Sequence, residues 1–457
     1  MRASGRLLRP ASPRRPFPLP SPQALREALE VLVDRASRLD PRALILYRGA
    51  DARARNEARL YAEAFWTAVL AAVVAFNAAF AVRLGASTEL VGLLSSLPAL
   101  VAVAATLPAG AVVQRSQRRV RIVARSLLVH RLGYLLVALL PLAFATGRAE
   151  ALVALLVVMT LPAVFVNVSF STTLADVVPE DRRAAVVAGR NIANSAVIML
   201  LTPLIGRWLD LIAFPANYQA AYFVGFLASL LGVRALGLLD GVSPPPRPPA
   251  RSAGWARELR AAPGAALRLI RGNPPFVRLA VDTLVHGAGL WLVTPLYVLH
   301  YVRDLDATDT WIGTFTAVAS LCAVVGFYVW RKVISRLGED RPLRVTIVLT
   351  ALFPIAVALS SDLTLIIVFA ALNGLVTPGL SLSHFNTLLK VCTAEQRATF
   401  FSLYSTLMNC GAFVSPLVGV AVANWLGIPA ALALGGGIWL VGGALFNLWP
   451  VRPRAGA

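Results

Sequence analysis

Long apolar blocks separated by short polar breaks run along most of the chain, as at 65–82 and 362–380. Blocks of about 20 residues match the hydrocarbon thickness of a bilayer when wound as helices. They predict helices near 60–83, 88–112, 121–145, 150–174, 184–207 and 217–239. A second set follows near 275–301, 309–334, 342–360, 362–388, 398–424 and 428–449. Residues 22–39 follow a different rule. Ser21-Pro22 gives a start signal, Leu25, Leu29, Leu32, Ala36 and Leu39 share one face, and Arg26, Glu27, Glu30, Arg35 and Arg38 fill the other. An amphipathic helix is expected there, either on the membrane surface or against the loops. The organisation is then a tail at 1–59, a six-helix bundle at 60–239, a linker at 240–274, a second bundle at 275–450 and a short tail at 451–457. Pro244, Pro245, Pro246, Pro248 and Pro249 mark the linker.

Composition makes the bilayer the main partner. Of 457 residues, 57% are hydrophobic and 14% charged, against about 25% charged in an ordinary soluble domain. The net charge of +20 invites a nucleic-acid reading, but the basic residues sit between apolar blocks, and no nucleic-acid partner is expected. One set of loops carries Arg115, Arg118 and Arg119, then Arg182 and Arg183, Arg247, Arg251 and Arg257, Arg331, Lys332 and Arg336, Lys390 and Arg397, and Arg452 and Arg454. The alternate loops are short and acidic or neutral, with Glu89, Glu150, Asp210, Asp304, Asp306, Asp309 and Asp362. Positive loops stay inside. The expectation is a multi-pass protein of the cell (inner) membrane with both termini cytoplasmic. Residues 1–20 are rich in Arg, Pro and Ser with no apolar run behind them, so a cytoplasmic tail is expected there and not a signal peptide. Cys322, Cys392 and Cys410 lie in or beside apolar segments without metal or CxxC spacing. They read as small apolar side chains, and no metal site or disulfide framework is expected.

The two sets of helices can be laid over one another. An offset of 221 places Gly92 on Gly313, Leu100 on Leu321, Ala102 on Ala323, Val103 on Val324 and Arg115 on Arg336. An offset of 214 places Thr173-Leu174 on Thr387-Leu388 and Arg183-Ala184 on Arg397-Ala398. An offset of 213 places Pro203-Leu204 on Pro416-Leu417 and Gly206 on Gly419. Leu, Ala and Val match by chance in apolar chains; Gly, Pro and Arg at equivalent positions do not do so readily. The expected fold class is an all-α membrane protein, with twelve transmembrane helices in two pseudo-symmetric six-helix bundles.

After the second helix the chain reads Gly110-Ala111-Val112-Val113-Gln114-Arg115-Ser116-Gln117-Arg118-Arg119. This resembles the signature of the major facilitator superfamily, in which Gly, three residues, Asp-Arg, one residue and Gly precede basic residues. Gly110, Arg115, Arg118 and Arg119 fit; Gln114 replaces the acid and Gln117 the second Gly. The second copy, Arg331-Lys332-Val333-Ile334-Ser335-Arg336-Leu337-Gly338, keeps Arg336 and Gly338. The resemblance covers residues 60–450. It implies a gating latch, in which the Gly permits close helix approach and the charges hold the halves together on one side. With Gln114 in place of the acid, Asp176 and Glu180 are the carboxylates available to Arg115 or Arg119. The plain alternative is that these arginines only set topology.

Ionisable and polar groups within the apolar blocks are costly and point to function. Asp282 and His286 lie four apart and share a helix face. The resemblance implies that the first, fourth, seventh and tenth helices line the central cavity, where such a pair can take up and release a proton. The alternative is that Asp282 sits at the interface beside Arg278. Arg131, next to His130, is deep in the third helix and calls for an acid, carbonyls or an anionic substrate; a structural partner is the simpler reading. Arg190 is expected to reach Asp176 or Glu180. Asn77, Asn167, Ser169, Ser171, Asn373, Thr377, Ser381, His384 and Asn386 are candidates for a polar pocket, each alone being more often an interhelical hydrogen bond. Pro203 and Pro416 mark flexing segments or simple kinks.

No GxxxxGK[ST] loop, nucleophile elbow, zinc-helix motif or dinucleotide fingerprint occurs in the sequence. Neither enzymatic activity nor a cofactor is expected. The expected function is secondary transport of a small solute by alternating access, with protons as a candidate coupling partner and export as the preferred direction, by a monomer. The competing class is a transporter-like sensor, scaffold or assembly factor that no longer transports.

Overall fold

A computed structural model describes residues 51–116, 119–240, 273–391 and 397–448. Residues 1–50, which include the amphipathic segment at 22–39, residues 449–457, nearly all of the linker, Arg118 and Cys392 lie outside the described residues, as do the side chains of Arg115, Glu180 and Arg397. Twelve helical stretches among the described residues are long and apolar enough to cross a membrane. They are α1 (Ala52–Arg83), α2 (Thr88–Arg115), α3 (Arg119–Ala143), α4 (Arg148–Val177), α5 (Glu180–Leu211) and α6 (Ala216–Gly237) in one half. The other half holds α7 (Pro274–Asp304), α8 (Asp309–Leu337), α9 (Asp340–Ala358), α10 (Leu363–Val391), α11 (Arg397–Leu426) and α12 (Ile428–Leu448). Large apolar side chains stand exposed around the bundle, Trp425 at 83% and Leu359 at 82%. That pattern belongs to a surface solvated by lipid, since a surface in water does not carry it at this scale.

Local chemistry fixes where several helices begin. Ser87 caps α2 by accepting from the Leu90 N–H at 3.2 Å, and Thr308 caps α8 by accepting from the Trp311 N–H at 3.1 Å. The offset of 221 makes these two caps equivalent. The first helix ends at Arg83 as expected but departs from expectation at its start and in its interior. It starts at Ala52, because charges below the membrane are satisfied there: Arg55 and Arg59 pair with Asp240, and Glu57 pairs with Arg182. It is also interrupted at Ala75–Phe76, where Phe76 leaves helical geometry. The end of α7 loosens comparably into a π-helical turn at His300–Asp304.

Helix neighbours repeat between the halves. In the first, α1 packs on α5 and α6, α3 on α4 and α6, and α2 on α4. In the second, α7 packs on α11 and α12, α9 on α10 and α12, and α8 on α10. Two extensive contacts join the halves, α5 with α8 and α2 with α11, and a pseudo-two-fold exchanges them. Both crossings need a glycine. A Cβ on Gly313 would lie 2.3 Å from the Thr202 carbonyl oxygen, and one on Gly92 would lie 2.6 Å from the Val420 side chain. Pro203 and Pro416 stand at the same crossings.

The apolar core is organised differently at the two membrane faces. At the face opposite the chain ends, one continuous cluster runs through both halves, from Phe80, Tyr218 and Tyr222 to Leu292, Leu296 and Tyr301. At the terminal face the core divides in two. Leu60, Val123, Val177 and Leu236 form one cluster within the first half, and Phe276, Leu343, Leu388 and Phe400 another within the second.

Candidate functional site

The divided core makes the seam between the halves the first place to look for function. At the face opposite the chain ends, the seam is bolted by charge. Asp309, at the start of α8, is buried, and its Oδ1 accepts from Arg83 Nε at 3.2 Å, Arg83 Nη2 at 3.1 Å and the Tyr218 hydroxyl at 2.8 Å. Asp210, at the end of α5, accepts from the backbone N–H groups of Asp309 and Thr310 at 2.9 and 2.8 Å. This puts a carboxylate on the positive end of α8. Arg83 also donates to the Ala307 carbonyl at 3.3 Å. In the mirror-related corner, Arg303 at the end of α7 donates to the Ala86 carbonyl and to Thr88 Oγ1. The offset of 221 relates Ala86 to Ala307 and Thr88 to Asp309, so one clasp is built twice, with a carboxylate on one side and a hydroxyl on the other. Asn424 of α11 completes the second corner by donating to Glu89 of α2. A cavity of about 540 Å3 lies alongside, lined by Arg83, Asp210, Asn217, Arg303 and Asp309 among others.

At the terminal face, the ion pairs among the described residues each stay within one half. Arg119 Nη1 donates to both oxygens of Asp176, at 3.1 and 2.8 Å. Lys390 of α10 pairs with Glu339, which precedes α9. Burial alone raises the Glu339 carboxyl, but the Lys390 ammonium outweighs it and holds the group below its ordinary value. Arg336 is exposed in the last turn of α8, and Gly338 closes that helix at a φ of +72°. A Cβ on Gly110 would meet nothing within 4 Å. In this state Gly110 therefore makes no close helix approach.

Each half also holds a polar interior. In the first, Arg131 is 6% exposed and donates to Thr67 Oγ1 at 3.1 Å, and Thr67 donates to Glu63 Oε1 at 2.9 Å. Glu63 Oε2 lies 2.6 Å from Arg190 Nη2. Arg190 also donates to the Leu60 carbonyl and stacks over the Phe170 ring, 4.3 Å from its centroid. Arg190 thus pairs with Glu63, not with Asp176, whose carboxylate Arg119 occupies. A guanidinium withdrawn from water needs a counter-charge, and Glu63 serves both the buried Arg131 and the half-buried Arg190. Sequence reasoning passed over Glu63 and Thr67, although an acid inside a hydrophobic helix is itself the signal. Asn77 follows the break in α1 and accepts from the Tyr222 hydroxyl at 2.5 Å.

In the second half, Asp282 is 2% exposed and its Oδ2 has no hydrogen-bond partner. His286 is buried, its ring edge-on to Trp439 at 5.1 Å and its backbone against Gly442, with Nδ1 unpartnered. Both residues therefore sit within the half, and His286 faces α12. His384 Nε2 meets Thr283 Oγ1 at 2.8 Å and the Tyr404 hydroxyl at 3.3 Å. Exposed polar stripes run along two helices: Asn167 and Ser171 on α4, and Thr377 and Ser381 on α10. The offset of 214 places Asn167 on Ser381. His, Cys, Asp and Glu nowhere group in a metal-holding cluster among the described residues.

The family model described as Major Facilitator Superfamily matches residues 64–285 and 279–457. No curated protein matches the chain by sequence. Among solved structures, a mutant of the nucleoside transporter NupG is similar at a TM-score of 0.68 and 12% identity, over 86% of this chain and 100% of that one. A POT family transporter in complex with a thioalcohol-conjugated peptide is similar at 0.67 and 11%, over 88% and 97%. A bacterial homologue of the human lysosomal transporter Spinster, in an inward-facing and unoccupied conformation, is similar at 0.59 and 14%, over 88% and 96%.

Proposed function

Because the chain belongs to the Major Facilitator Superfamily, we propose that it is a secondary transporter moving a small solute by alternating access. One arrangement supports this reading. The halves are bolted across one membrane face and carry separate cores and self-contained ion pairs at the other. Rocking about the α5–α8 and α2–α11 contacts exchanges which face is bolted, and that exchange is what carries a solute past a mid-membrane site. With both termini and the 240–274 linker in the cytoplasm of a cell (inner) membrane protein, this state faces inward. The polar stripes of α4 and α10 line the path, and the chain works as a monomer.

Proton coupling is assigned to Asp282 and His286. A buried carboxylate oxygen and a buried imidazole nitrogen, neither with a partner, are groups whose proton occupancy changes when a path to water opens. Export is the preferred direction, with protons returning against the solute. The test is flux in proteoliposomes across a panel that includes nucleosides and peptides, with and without a pH gradient. Flux that responds to the gradient in the wild type, but not in Asp282→Asn or His286→Ala, is the expected result. An unchanged response in both variants removes the coupling assignment, and no flux for any solute under any gradient counts against transport.

A further inference from the structure

The clasp at the face opposite the chain ends is built twice, yet one copy alone has its full set of acids. In the first corner Arg83 pairs with Asp309, and Asp210 accepts from the first backbone N–H groups of α8. The offset of 221 relates Asp309 to Thr88, and the offset of 214 relates Asp210 to Asn424. Both acids are therefore neutral side chains in the second corner. Arg303 is the counterpart of Arg83 to within one residue. It spends Nη1 on Thr88 Oγ1 and Nη2 on the Ala86 carbonyl. Glu89, the acid in that corner, is taken by Asn424. Arg303 is thus in ion-pair contact with no carboxylate among the described residues.

Arg83 and Arg303 nevertheless line one cavity, of about 540 Å3, a size that holds a small organic molecule. The two guanidinium groups come from opposite halves, and like charges around one cavity favour an anion between them. Asp309 and Asp210 line it too, but their charge is already engaged. Arg83 and Tyr218 hold the first, and the start of α8 holds the second. Arg83 bonds through Nε and Nη2, which leaves its Nη1, and Arg303 keeps Nε. Such N–H groups answer a carboxylate with short, directed hydrogen bonds. Ile212, Phe214 and Val302 add an apolar wall.

We propose that this cavity is a binding site for a carboxylate with a compact apolar body, taken from the water on this side. The ligand gives Arg303 the acid that Asp309 gives Arg83, and its body lies against the apolar wall. The lining comes from the ends of α1, α5, α7 and α8 and the turn into α6, and not from the polar stripes of α4 and α10. The site is therefore distinct from the proposed solute path. A ligand that touches both halves binds the closed form of this face better than an open one, and so favours it.

The test is calorimetric titration of the full chain in detergent at constant ionic strength, with benzoate as the probe and benzamide as its neutral equivalent. Saturable heat with benzoate, and none with benzamide, is the expected result. Arg303→Gln is expected to weaken benzoate about tenfold, the loss of one charge-assisted hydrogen bond. Thr88→Asp supplies the second acid from within the chain. It is expected to weaken benzoate by a similar factor while thermal unfolding without ligand shows the fold intact. Benzoate that binds no better than benzamide overturns the site, as does a benzoate affinity that either variant leaves unchanged. Binding is measured without any transported solute, so failure of transport and failure of the site are separate results.

Discussion

Glu63 shows how one residue sets the interior of the first half. It neutralises Arg190 directly and Arg131 through Thr67. Glu63→Gln leaves the buried Arg131 and the half-buried Arg190 with no carboxylate, a loss of about 3–5 kcal/mol for a broken buried pair. The expected outcome is a clearly lower unfolding temperature in detergent, with little recovery in Glu63→Asp, whose shorter stem pulls back from Arg190. A thermal shift within error of wild type contradicts the assignment. Residues of this kind were only partly legible beforehand. Asp282, His286 and Arg131 stand out as ionisable groups deep in apolar runs. Glu63 lies close to the expected helix start at residue 60 and so reads as an interfacial charge. The actual start at Ala52 places it about three turns in. Asp309 reads as a loop charge and Arg83 as the last residue of the first helix, and nothing in sequence brings them together across 226 positions.

The helices themselves were legible because the bilayer leaves few alternatives. Unpaired backbone groups cannot face lipid, so an apolar run of sufficient length becomes a helix. Their pairing came through the offsets: Gly92 and Gly313, matched at 221, turn out to be the two points where helices of opposite halves cross. What the apolar pattern could not contain is the break in α1 or the π-helical turn in α7, since both keep the same hydrophobic content. The crossings give a prediction for elements. In Gly313→Leu the new side chain collides with the backbone of Thr202 and Pro203. Overpacking of this kind costs about 1–3 kcal/mol, and the α5–α8 contact must open. Cross-linking between cysteines at Thr202 and Thr314 is expected to fall severalfold in that variant, while a Gly110→Leu control, with open space around it, leaves it unchanged. Equal loss in both variants shows that the crossing is not specific.

At the scale of the whole molecule, the clasp decides which face is closed. Asp309 gathers Arg83, Tyr218 and the α8 start, and its mirror site uses Thr88 in place of a carboxylate. The asymmetry makes Asp309→Asn the economical way to loosen one face, since in the other corner Arg303 donates to a carbonyl and a hydroxyl and the Glu89 carboxylate is taken by Asn424. The most direct test of alternating access follows from it. A single cysteine at Ser381, in a chain with the native cysteines replaced, is treated with a membrane-impermeant maleimide from each side of the membrane. The account predicts fast labelling from the face that bears the chain ends in the wild type. In Asp309→Asn, that labelling slows and labelling from the opposite face rises. Equal labelling from both faces, or no change on substituting Asp309, contradicts a molecule whose two faces open in alternation.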